Sequence, residues 1–253
     1  MAATASAVLN VASQCWTAAL IEQPYAAPVA LPLALGPTEA YPQYCEMIDL
    51  RHCGGSSLRE QFRLTETRGV GAPVEPELLI LVDEADREIG YMDRAGCHAG
   101  RGMLHRAFSL LIFNGKGELL MQQRAPTKRL WPLFWSNSCC SHPRRAETLE
   151  AAARRRLREE LGLSCPLHFL FKFQYQAQFD SAGAENEVCS VFIGRASDSV
   201  TINPAEISAW RWIDPEALEA EMTGPEGGNF TPWFRLEWQR VWREHRTAVL
   251  ALT

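Results

Sequence analysis

From His168 to Phe179 the chain alternates without a break. Phe169, Phe171, Phe173, Tyr175, Ala177 and Phe179 fall on one side, and Leu170, Lys172, Gln174, Gln176 and Gln178 on the other. Successive side chains of an extended strand point to opposite faces, so this period of two demands a long strand with one packed, mostly aromatic face. Such a strand needs a sheet around it and a layer to cover it. Leu78 to Val82 reads as a buried strand ended by Asp83 and Glu84. Ala107 to Phe113 is a second, Asn114-Gly115 a turn, and Leu119 to Gln122 the returning strand. Asp180 to Gly183 turns the chain into a strand at Glu187 to Ile193, and Ala209 to Ile213 adds another. The covering layer is helical. Residues 148–161 place Leu149, Ala153, Leu157 and Leu161 four apart, and Gly162 stands where a left-handed residue ends a helix. Phe230 to His245 reads as a tryptophan-rich helix. Strands, a helix, more strands and a closing helix predict an α/β (α+β) fold, a mixed β-sheet sandwich flanked by helices.

The patterning starts near residue 77 of 253. Before it, residues 1–38 carry Glu22 as their only charged side chain and are broken by Pro24, Pro28, Pro32 and Pro37; Gly54 to Ser57 reads as a linker. Residues 1–76 are therefore expected to be a partly disordered or loosely packed extension, and 77–253 the functional domain. A formal net charge of −5 argues against bulk nucleic-acid binding but leaves room for a local cationic pocket. No apolar run is long enough to predict a membrane span. Eight cysteines without a CxxC fit reduced thiols in a cytoplasmic enzyme better than a disulfide framework. A monomer is expected.

Four groups of residues could carry chemistry. The helix run Arg155-Arg156-Leu157-Arg158-Glu159-Glu160-Leu161-Gly162-Leu163 resembles the core of the Nudix box, whose helix carboxylates hold Mg²⁺ against a diphosphate; Ser141 and Glu147 stand where that box has its Gly and first Glu. Arg156 departs from it, since a cation stands where Nudix hydrolases carry a metal-binding Glu. A solvated Arg156–Glu160 pair is the plainer reading of that spacing. Cys140 and His142 lie just before the helix, whose N-terminus favours anions and could lower a thiol pKa. Glu185 and Glu187, two apart at a strand entrance, point the same way. His98 and His105 flank a loop holding Gly100 and Gly102. Together these supply a mixed nitrogen and oxygen set for a divalent metal.

The combined pattern resembles the type I isopentenyl-diphosphate isomerases. The segments that carry it are Cys97-His98 to Leu104-His105-Arg106-Ala107-Phe108, Gln123-Arg124-Ala125, Ser136-Asn137-Ser138-Cys139-Cys140-Ser141-His142-Pro143, Arg156 to Gly162, and Glu185-Asn186-Glu187-Val188-Cys189. The order and spacing hold across about residues 77–245. The resemblance implies a Nudix-like scaffold that interconverts isopentenyl and dimethylallyl diphosphate through a tertiary carbocation. It implies Cys140 and Glu187 as proton-transfer groups, with Tyr175 beside Glu187. It implies a first metal site of His98, His105, His142, Glu185 and Glu187 for Zn²⁺, Mn²⁺ or Mg²⁺. A second ion, Mg²⁺, would bridge Glu160 and the diphosphate. Arg94, Arg124, Lys128 and Arg156 would grip the diphosphate, and Trp233 would face the cation. The rival readings are a Nudix hydrolase of a nucleoside or prenyl diphosphate, and a non-catalytic metal- or prenyl-diphosphate-binding module.

Overall fold

The computed structural model describes residues 77–251, except 197–198, 225–226 and 228, together with the backbone of Ala19–Leu20. The expectations for the rest of the extension, including the linker at Gly54 to Ser57, lie outside the described residues. Ten strands form one branched sheet: β1 (Ala19–Leu20), β2 (Leu78–Val82), β3 (Glu88–Asp93), β4 (His105–Phe113), β5 (Leu119–Arg124), β6 (Trp135–Ser136), β7 (Cys139–Ser141), β8 (Leu167–Phe179), β9 (Gly183–Arg195) and β10 (Ile207–Ile213). The long path runs β1-β8-β9-β4-β2-β3, while β5 and β7 branch from β4 and β10 pairs with β5. Neighbours are antiparallel except β4 and β9, which run parallel. The sheet is therefore mixed, as the sequence predicts.

β4 explains where the core sits. Its residues are buried on both faces, which is why the run Ala107 to Phe113 is apolar rather than alternating. Phe108, Leu110 and Ile112 pack on α2 (Leu149–Leu161), against Ala152, Ala153, Leu157 and Leu161. Ala107, Leu111 and Phe113 face the other way, into a cluster with α4 (Pro232–Glu244) and its Phe234, Trp238 and Val241. The two helices thus cover opposite faces. Thr148 caps α2 by accepting from the Ala151 amide, and Gly162 ends it at φ 67°.

β8 keeps the predicted alternation over most of its length, with Phe171, Phe173, Tyr175 and Ala177 buried. It fails at Phe169. A register shift between Phe169 and Phe171 leaves Leu170 packed on the α4-side cluster, while Phe169 is exposed and meets Phe192 of the α2 side edge-on. A bulge inserts one residue and so reverses the facing of everything before it. The sequence reading also lacks β3, the short helix α1 (Arg94–Cys97) capped by Asp93, α3 (Pro215–Thr223) and α5 (Arg246–Leu250). No helix among the described residues is long and apolar enough to cross a membrane.

Candidate active site

Strand register assembles the centre. On the parallel pair, His105 at the start of β4 lies opposite Glu187 of β9; on the antiparallel pair, Tyr175 of β8 lies opposite the same Glu187. Glu185 shares its face, two residues away. His98 follows α1 and reaches β9 through a close backbone approach. The Ala184 amide donates to the His98 carbonyl at 3.1 Å, and a Cβ on Gly183, at φ 142°, would lie 2.2 Å from that oxygen. Only glycine fits there. His142 follows β7.

The five side chains are all buried, and one ligand atom from each lies within 4.8 Å of the others. Nδ1 of His98 donates to the Arg94 carbonyl and Nδ1 of His105 to the Met103 carbonyl, both at 2.7 Å, which turns each Nε2 inward. His98 Nε2 stands 2.8 Å from Glu185 Oε2, and His142 Nε2 2.8 Å from Glu187 Oε1. His105 Nε2 is buried without a hydrogen-bond partner, and Glu185 Oε2 has none beyond the His98 contact. Orphaned inward-facing donor atoms in a nitrogen and oxygen set fit a divalent cation, because such atoms are costly to bury unpaired. Burial lowers the His98 pKa, but Glu185 outweighs it and lifts the imidazole to about 9. Burial and the neighbouring imidazoles hold His142 well below its ordinary value. Burial raises Glu187, yet His105 and the Tyr175 hydroxyl, which donates at 2.7 Å, bring it below the usual carboxylate value.

These residues open onto a cavity of about 390 Å³. All the sequence-predicted site residues line it except His105, which is fully buried behind it, and Glu160. Arg94, Arg124, Lys128 and Arg156 give it a cationic wall; Cys140, Tyr175 and Trp233 form the less polar part. Arg124 donates to the Trp131 carbonyl at 3.0 Å and the Leu130 carbonyl at 2.9 Å, and its guanidinium lies 5.2 Å from the Trp233 ring. Trp131 holds its carbonyl there with φ at 47°, a left-handed conformation that costs a non-glycine residue energy. Lys128 pairs with Glu206, and Arg156 bonds Glu206 at 3.0 Å and Glu160 at 3.0 Å. Burial opposes ionisation of Glu206, but the two cations hold its pKa near about 2. Arg94 stands 3.5 Å from Glu77.

Two sequence expectations change. The Arg156–Glu160 pair is not solvated: Glu160 is 3% exposed, and burial raises its carboxyl pKa against the pull of Arg156. The Cys140 thiol is not lowered by a helix end. Burial pushes it up to about 12; Arg124 opposes this, while Glu160, Glu187 and Glu237 reinforce it.

The NUDIX domain model matches residues 103–234. Isopentenyl-diphosphate Delta-isomerase 1 of Photorhabdus laumondii is 41% identical over 172 residues, covering 67% of this chain and 97% of its own. The chain belongs to the isopentenyl-diphosphate Delta-isomerase family. The Burkholderia multivorans member is 43% identical over 165 residues, 65% of this chain and 93% of its own. Among solved structures, DR0079 from Deinococcus radiodurans superposes with a TM-score of 0.55 at 26% identity, covering 66% of this chain and 100% of that one. The isomerase-family chain thus carries its site on a Nudix fold. Sequence reading missed Arg129 in the cavity wall, though its place beside Lys128 was a visible signal. It also missed Glu206, whose role depends on a loop contact with no local signature.

Proposed function

We propose that this chain interconverts isopentenyl and dimethylallyl diphosphate. The observation that carries the reading is one cavity lined by a cationic wall, the Cys140 thiol, and the Tyr175–Glu187 pair. A terminal alkene is a poor base, so a proton must be delivered at the methylene carbon as another leaves C2, and the intervening cation must be kept from water. Cys140 is one proton-transfer group. A thiol whose pKa is about 12 keeps its proton at neutral pH, which suits a donor. Glu187, ionised and held by Tyr175, suits the acceptor; on the reverse reaction the roles exchange. Trp233 faces the cationic carbon, and its ring favours positive charge.

His98, His105, His142, Glu185 and Glu187 would hold the first ion, Zn²⁺, Mn²⁺ or Mg²⁺, which when bound supplies positive charge that keeps the Glu187 carboxylate ionised. Glu160 and the diphosphate would hold Mg²⁺, and the phosphate oxygens would then compete with Glu160 for Arg156. Arg94, Arg124 and Lys128 complete the grip on the diphosphate. All five described cysteines are free, which supports a reducing, cytoplasmic setting. Arg156 weighs against the hydrolase reading, because the box helix presents a cation where a metal-binding carboxylate is needed.

The test is incubation with isopentenyl diphosphate and Mg²⁺ in deuterated water. Deuterium in recovered dimethylallyl diphosphate, without released phosphate, supports the isomerase. Phosphate release without isomerisation favours the hydrolase.

A further inference from the structure

Of the two glutamates on α4, Glu244 is exposed and Glu237 is fully buried. Glu237 shares its helix face with Phe234, Trp238 and Val241, all at 0% exposure. Burial lifts its carboxyl to about 8, with Glu187 reinforcing and a Ser109 hydrogen bond opposing. One oxygen, Oε1, is buried without a partner. An apolar side chain would pack there at lower cost, so packing does not account for the residue.

Its other oxygen ends a directed chain. The Trp233 indole Nε1 donates to Asn137 Oδ1 at 3.2 Å, Asn137 Nδ2 donates to Ser109 Oγ at 2.7 Å, and Ser109 Oγ donates to Glu237 Oε2 at 2.6 Å. The indole can only donate, so it fixes the Asn137 carbonyl oxygen toward itself and the amide nitrogen toward Ser109. Ser109 then accepts from Asn137, and its own hydrogen must find an acceptor on the far side. Glu237 is that acceptor. The same Asn137 amide donates to the Cys139 carbonyl at 2.7 Å, one residue before Cys140. A side chain outside the cavity is therefore connected to two groups that line it.

We propose that Glu237 is a positioning residue for the isomerisation: by accepting from Ser109 it adds the last link to the set of bonds that holds the Asn137 amide, and through it the Trp233 indole, against the cavity. The inference rests on the isomerase reading above. Without the acceptor, the Ser109 hydroxyl is free to turn toward Asn137, the amide keeps the Cys139 carbonyl and Ser136 hydroxyl as its other partners, and the indole's anchor is loosened. The diphosphate grip stays, because Arg124 is held by the Leu130 and Trp131 carbonyls.

Three variants test it: Glu237→Leu, Ser109→Ala and Glu237→Gln. The first two remove the acceptor or the link; the third keeps an acceptor oxygen. The indole N–H resonance of Trp233, assigned by its loss in Trp233→Phe, is followed by NMR alongside kcat and KM for isopentenyl diphosphate. In Glu237→Leu and Ser109→Ala the resonance should shift, kcat should fall by about tenfold or more, and KM should stay within about threefold. Glu237→Gln should restore the resonance and most of kcat. An unmoved resonance in both disrupting variants overturns the proposal, as does a Glu237→Gln enzyme as impaired as Glu237→Leu. A wild-type protein that does not isomerise isopentenyl diphosphate sinks the isomerase reading instead, while the resonance still decides whether Glu237 positions Trp233.

Discussion

Arg156→Ala probes the helix that separates this chain from a hydrolase, and its cost follows from the burial of the partners. The guanidinium bonds Glu159, Glu160 and Glu206. Glu159 is 41% exposed, so that contact contributes about 0.5 kcal/mol or less. Glu206 keeps Lys128. The effect therefore falls on Glu160, left buried without its nearest cation. Breaking a buried pair costs roughly 3–5 kcal/mol, but a carboxyl can escape by taking a proton. From an ordinary value of 4.5, protonation at pH 7 costs about 3 kcal/mol, which caps the loss. The sign of the pH dependence follows. Burial raises the folded-state pKa of Glu160 against the pull of Arg156, and the variant loses that opposing cation, so the stability deficit of the variant should grow as pH rises above the ordinary carboxylate value. Between pH 6 and 8 the deficit of the variant relative to wild type should grow by up to about 1.4 kcal/mol per unit. Urea unfolding at pH 6, 7 and 8 measures it. In the same preparation KM for isopentenyl diphosphate should rise by about 30-fold or more, as expected for losing a charge-assisted contact of about 2 kcal/mol. A deficit that ignores pH, or an unchanged KM, refutes the reasoning.

Cys140→Ala should lower kcat by several orders of magnitude, on the scale of removing a proton-transfer group, while Cys139→Ala, whose side chain packs in the α2-side core, should leave kcat nearly unchanged; steady-state kinetics on both decides. Chelation should abolish activity, and His105→Ala should lose bound metal by elemental analysis while retaining its circular dichroism, since His105 Nε2 is an orphaned donor at the centre. Leu133 adopts φ 63° with half its surface exposed, so Leu133→Gly should stabilise the fold by about 0.5–1 kcal/mol, the left-handed strain relieved less the entropy glycine adds to the unfolded chain, as read from the urea midpoint.

The fold was legible where burial repeats with a fixed period. The strand at Phe171 to Ala177 and the helix at Leu149 to Leu161 each face one apolar cluster, and each pattern is local. Phe169 was misplaced because a bulge is decided by the partner strand, and composition does not reveal it. β3 was missed for a related reason. Glu88–Asp93 is mostly exposed or half-buried and carries no alternation; it is a strand because β2 offers it an edge. α3 carries a sequence signal, Asp214 before Pro215, but it buries only Leu218 and so shows little periodicity.

The site divides along the same line. Residues that line the cavity come in short strings, because nearby positions of one strand or loop reach one point: Cys140 and His142, or Glu185 and Glu187. Residues that support them are scattered, because support comes from whichever element lies behind. Glu206 reaches Lys128 and Arg156 from a loop, and Glu237 reaches Ser109 from a helix 128 residues away. Both are acidic, and in sequence neither differs from the surface glutamates around it. What distinguishes them is their surroundings: Glu237 is fully buried, and Glu206 is half-buried between two cations. A carboxylate drawn partly or wholly out of water is stabilised by a cation, as Glu206 is, or by a proton, as burial favours for Glu237, whose carboxyl it lifts to about 8. Glu160 lies between these cases: it has a cation that the substrate's diphosphate would compete for. If Arg156 grips the diphosphate as proposed, substrate binding is coupled to the charge on a buried helix carboxylate, and the arginine in this helix supplies that coupling.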